Sequence, residues 1–155
     1  MDSSKLLQLL APHSWKIELT LVVVVFVSAI FNYNGVSGGA ELLMLSMTGL
    51  AGYYFISAFF MIEIKGVISA LALKLFSIAS SVCLIGLLFT ILHLTGGANM
   101  LVIGVSVMGI TGLMVVYLAV TAWTPALAPL LIRLILVGGI SVSTLFSLMD
   151  AALVQ

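Results

Sequence analysis

Glu41, His93 and Asp150 are the residues of this chain whose types best suit chemistry. A carboxylate pair with a histidine can bind a metal or pass a proton. Each falls near the end of a long apolar stretch, at the level of Asn32 and Asn34, so all can converge at one rim of a helical bundle. Ionisable groups within such stretches are functional candidates by default. The plainer expectation is that water and headgroups satisfy them at helix ends. Spacing favours it, because no HxxxH or ExxH pattern puts two ligands on one helix.

A second set, Glu18, Glu63, Lys65, Lys74 and Arg133, belongs to the opposite rim. Charges of opposite sign at one depth can pair across helices and fix their packing. Lipid-headgroup recognition or the docking of a partner is the alternative use. Lys74 is the deepest of these charges by sequence. The chain has no HExxH, GxSxG or Walker loop, no paired histidines for haem, and no aspartate or lysine in mid-span. No catalytic group, cofactor or metal is therefore expected. The single cysteine, Cys83, excludes a disulfide within the chain and reads as a small packing residue.

These residues must be positioned by apolar helices. The chain has 155 residues, 63% of them hydrophobic and only 6% charged. A soluble domain carries about 25% charged residues, so this composition implies a bilayer. A hydrocarbon core of about 30 Å needs roughly 20 helical residues to cross it. Five segments suffice, at about residues 17–33, 41–62, 67–94, 99–122 and 130–154. The fold class is all-α, a single domain built as a bundle of five transmembrane helices. No part is left for a soluble domain, and zero net charge without a basic cluster leaves no nucleic-acid footprint.

The basic residues orient the bundle. Lys5 and Lys16 precede the first span, Lys65 lies between the second and third, Lys74 is nearby, and Arg133 begins the fifth. All five fall on alternate sides as five spans require, which predicts the N-terminus inside and the C-terminus outside. Lys5 and Lys16 before an apolar run also imitate a signal peptide. The chain begins at Met1, and the run is read as a retained first span. Residues 1–16 are expected to rest in the interface, with Leu6, Leu7, Leu9 and Leu10 in the lipid and Trp15 at its edge.

A shift of 58 positions superposes two segments of the sequence. Ser37-Gly38-Gly39-Ala40 falls on Thr95-Gly96-Gly97-Ala98, Leu43 on Leu101, Thr48 on Ser106 and Phe59 on Tyr117. The unit would be a two-span hairpin with a Gly-Gly turn, repeated in parallel about an axis along the membrane normal. Ser37 and Thr95 are expected to cap the helices that follow, and Glu41 to lie in a first turn, where the helix dipole favours it.

Small residues recur at helical spacing: Thr48 and Gly52; Ser77 and Ser81; Ser106, Gly109 and Gly112; and Gly139, Ser143 and Ser147. Such stripes let membrane helices approach closely. Packing within the chain is the default expectation, and the Gly139 stripe is the candidate for an interface with a second subunit. The functional expectation is a non-enzymatic membrane component that works by association, as a homo-oligomer or an accessory subunit, in a bacterial cytoplasmic membrane. The alternative is a small transporter or channel with Glu41, His93 and Asp150 at its outer mouth. A lipid-modifying enzyme would require His93 within hydrogen-bonding reach of a carboxylate.

Overall fold

Segments this apolar must satisfy their backbone N–H and C=O groups internally, which a helix does residue by residue. The computed structural model describes residues 14–60, 67–121 and 127–153, and it is helical throughout, with no strand among them. The helices are α1 (Ser14–Tyr33), α2 (Gly39–Phe60), α3 (Val67–Ile91), α4 (Gly97–Thr121), α5 (Ala128–Arg133) and α6 (Gly139–Leu153). A π-helical turn, Leu134–Gly138, joins α5 to α6, and together they form one fifth span. Among the described residues five helices are thus long and apolar enough to cross a membrane. Pro129 sits in the first turn of α5, where its missing N–H costs nothing.

The helices pack mainly in chain order: α1 on α2, α2 on α3, α3 on α4. The fifth span returns against α4 and α3. Helix α3 is the centre of the bundle, with Leu73, Phe76, Cys83, Leu84 and Leu87 buried. It meets α4 at a close crossing. A Cβ on Gly86 would lie 3.0 Å from the Leu101 nitrogen, and one on Gly104 would lie 2.8 Å from Cys83 Sγ. Small residues buy this approach, and Cys83 is fully buried in it, with Sγ 4.0 Å from Met108 Sδ. Between α1 and α2 the link is polar: the Ser28 and Ser46 hydroxyls hydrogen-bond at 2.8 Å.

Two turns share one design. In the first, the Gly35 N–H donates to Asn32 O and the Val36 N–H to Phe31 O. In the second, the His93 N–H donates to Thr90 O and the Leu94 N–H to Phe89 O. Each pair is a Schellman helix stop, whose left-handed residue is Gly35 (φ 66°) in one and His93 (φ 54°) in the other. The two sets of bonds are displaced by 58 residues. The same displacement relates Gly38 (φ 84°) to Gly96 (φ 92°) in the linkers that follow. Neither Ser37 nor Thr95 forms a side-chain cap. The linkers supply a backbone bond instead, with Leu42 N–H to Gly38 O and Met100 N–H to Gly96 O. Buried positions repeat as well: Leu43, Ser46, Leu50, Tyr54 and Ser57 correspond to Leu101, Gly104, Met108, Gly112 and Val115.

Candidate functional site

Helices α1 and α5–α6 flank a gap floored by α2 and α3. It is a cavity of about 320 Å³, lined by apolar side chains that include Val22, Phe26, Leu50, Leu87 and Ile140. Leu19, Phe26, Ile132 and Ile140 are exposed at its edges, so the groove opens sideways between the first and fifth spans. Its lining on α1 runs from Glu18 to Ala29 and on the fifth span from Pro129 to Thr144. At 1.5 Å per residue this is about 16 Å along α1 and about 22 Å along the fifth span.

One end of the groove is charged. Arg133 is only 5% exposed although it sits inside an apolar helix. Its Nη2 lies 3.0 Å from Glu18 Oε1 and its Nε donates to the same oxygen at 3.1 Å. The guanidinium carbon stands 3.7 Å from the centroid of the Tyr54 ring, a cation–π contact. Three helices distant in sequence therefore meet at one planar cation. Arg133 Nη1 is buried and has no hydrogen-bond partner among the described residues. A buried donor left unsatisfied costs about 1–3 kcal/mol.

Local structure explains why Arg133 points inward. It closes α5, and the π turn follows directly. In an uninterrupted α-helix Arg133 and Ser141, eight apart, would diverge by about 80°. The π turn takes up this surplus, so that Arg133, Val137 and Ser141 are all buried.

The other charges at this rim are not drawn in. Lys74 is half-buried on α3 and makes no ion pair with a described carboxylate. Glu63 and Lys65, like Lys5, lie outside the described residues.

At the opposite rim Glu41, His93 and Asp150 are each exposed, and no hydrogen bond or ion pair joins any two of them. Among the described residues no three of His, Cys, Asp and Glu come together in a way that could hold a metal ion. His93 serves the backbone as a left-handed helix stop. Glu41 lies in the first turn of α2. The Asn34 side-chain amide donates to Ile30 O at 2.7 Å and so also serves a helix end.

The small-residue stripes divide. Ser77 and Gly112 are buried, and a Cβ on Gly112 would come within 2.8 Å of Leu134 Cδ1. Thr48, Gly52, Ser106 and Gly109 are exposed. So are Gly139, Ser143 and Ser147, and no described residue beyond its own helix turn lies within 4 Å of a Cβ built on Gly139.

Sequence reasoning placed Glu18 and Arg133 at one rim but missed Tyr54 and the groove. Tyr54 reads as one of a run of aromatic residues on α2, of which Phe55 and Phe59 face outward and Tyr54 alone is fully buried among the three. Its signal was the spacing of Leu43, Met47, Leu50 and Tyr54 on one helical face, hidden because the other faces are equally apolar.

The five spans define a polytopic helical membrane protein. Comparison with protein-family models, with curated proteins and with solved structures finds no match for this chain.

Proposed function

We propose that this chain is a non-enzymatic membrane component that works by association, and that the fifth span carries the contact with a second copy. The observation behind this reading is the outward face of Gly139, Ser143 and Ser147. Three small residues stand on successive turns of a helix, exposed and unused by the bundle's own packing. Against lipid they gain little. Against another helix they permit close backbone approach and hydrogen bonds between chains.

In this reading the N-terminus and the Arg133 end of the bundle face the cytoplasm, on the rule that basic residues stay inside. The two Schellman turns support descent of α1–α2 and α3–α4 from one duplicated hairpin. The fifth span is then an addition without a counterpart, free to carry the association. The short connections and small size suit a bacterial cytoplasmic membrane.

The test is native mass spectrometry of protein extracted from its own membrane without dissociating detergent. A multiple of 16.4 kDa is expected. Gly139→Leu should weaken self-association by about 1–2 kcal/mol without unfolding the monomer, since its side chain meets open space. A monomer in the wild type would overturn the reading. A mass that includes other polypeptides would replace self-association with an accessory role.

A further inference from the structure

The groove between α1 and α5–α6 has an apolar length and one charged end, which is the shape of an amphiphile. We propose that it holds one acyl chain of a membrane phospholipid, with the lipid phosphate at Arg133. Three observations carry this. First, the opening is sideways, between spans whose edge residues Leu19, Phe26, Ile132 and Ile140 are exposed, so a bilayer lipid enters without leaving the membrane. Second, the lining extends on α1 from Glu18 to Ala29 and on the fifth span from Pro129, one turn beyond Arg133, to Thr144. That is about 16 Å along α1 and about 22 Å along the fifth span, a depth that suits an extended acyl chain and is short of a full span. The cavity of about 320 Å³ is of ligand-site size, in the range of roughly 300–1,000 Å³. Third, the head position is incompletely satisfied. Nε and Nη2 of Arg133 both go to Glu18 Oε1, Tyr54 covers one face of the guanidinium, and Nη1 has no partner among the described residues. A phosphate oxygen is the acceptor that a bilayer offers at this depth, and charge-assisted bonds from arginine to phosphate are the strong kind.

Glu18 and Tyr54 have defined parts in this arrangement. Glu18 holds the guanidinium at the mouth and cancels its charge while the groove is empty. Tyr54 fixes the plane of the guanidinium. A phospholipid adds an acceptor once the buried Nη1 is uncovered towards the groove, with the Glu18 pair kept. A lipid with the same chains but no phosphate fills the groove and leaves Nη1 open. A second copy of the chain seated in the groove would instead exclude lipid.

The experiment is native mass spectrometry of the delipidated full chain, titrated with a phosphatidylglycerol or with a diacylglycerol bearing the same acyl chains. The wild type should retain the phospholipid about tenfold more strongly than the diacylglycerol. The double substitution E18L/R133M removes both charges together, so no lone charge is left buried. It should lower the preference to within about twofold, with helix content unchanged. Ala29→Trp fills the far end of the groove and leaves the charged end intact. It should reduce the retention of both lipids. Equal retention of the two lipids by the wild type would overturn the proposal. So would an adduct pattern that neither variant changes, or a dimer that forms as lipid is removed and dissolves as lipid is added.

Discussion

At the scale of single residues, the ion pair between Arg133 and Glu18 is the most consequential feature of this chain. Its worth lies less in net attraction than in the cost of breaking it. Removing one partner leaves the other charge buried without compensation, so Arg133→Ala alone should lower stability by about 3–5 kcal/mol. The double variant E18L/R133M should lie within about 1–2 kcal/mol of the wild type. Thermal melts of the three proteins in one detergent check this, and equal losses in the single and double variants would refute it. His93 gives a second residue-level prediction. Its left-handed backbone costs an L-residue about 1–2 kcal/mol, and its counterpart at the other turn is Gly35. His93→Gly should therefore raise the melting temperature. A fall would mean that the imidazole does more than end a helix.

At the scale of elements, the turns and the π segment set the geometry. Gly39 and Gly97 begin α2 and α4 directly against the ends of the preceding helices. A Cβ on Gly39 would lie 2.8 Å from the Asn32 nitrogen, and one on Gly97 would lie 2.7 Å from Thr90 Oγ1 and 2.9 Å from its nitrogen. Gly39→Ala and Gly97→Ala should each destabilise by about 1–3 kcal/mol, because backbone cannot yield as a flexible side chain can. A melting curve that either change leaves unmoved would count against the close approach. The π turn acts differently. It keeps Arg133 on the same face as Val137 and Ser141, and it leaves Gly139, Ser143 and Ser147 facing out. One local irregularity thus serves both the groove and the outward stripe. Deleting Leu136 from the turn should give an uninterrupted α-helix in which Arg133 and Ser141, then seven apart, still share a face to within about 20°. The pair with Glu18 should therefore persist, and the stability loss should stay below that of Arg133→Ala, measured in the same melts.

At the scale of the whole molecule, accessibility reports the topology. Cys83 is fully buried at the α3–α4 crossing, so the native protein should resist maleimide and react only as it unfolds. Against that silent background, Ser37→Cys and Thr95→Cys should both label from the outside with a membrane-impermeant maleimide. Both positions are exposed in the two equivalent turns. Labelling from opposite sides would break the proposed arrangement of parallel hairpins. Labelling of both from the inside would invert the orientation.

Much of this architecture was legible before any coordinates. Length and apolarity set the number of helices, because a bilayer demands about 20 apolar residues per crossing. The Gly-Gly pairs marked the turns, and the 58-residue shift anticipated their shared geometry. What composition could not reveal was which face of each helix turns inward. All five spans are apolar around their whole circumference, so periodicity separates lipid-facing from buried positions only weakly. Tyr54 and Phe55 look alike in the sequence, yet one covers a guanidinium and the other faces outward. Arg133 was readable as a rim charge, whereas its burial against Glu18, 115 positions away, depends on how the fifth span returns across the bundle. The sequence alone determined a five-helix membrane protein, through local apolarity and turn chemistry. Only the tertiary structure decided that its first and last helices stand apart above a groove and meet at an ion pair, because helix phase and long-range packing are set by close contacts among side chains distant in the chain.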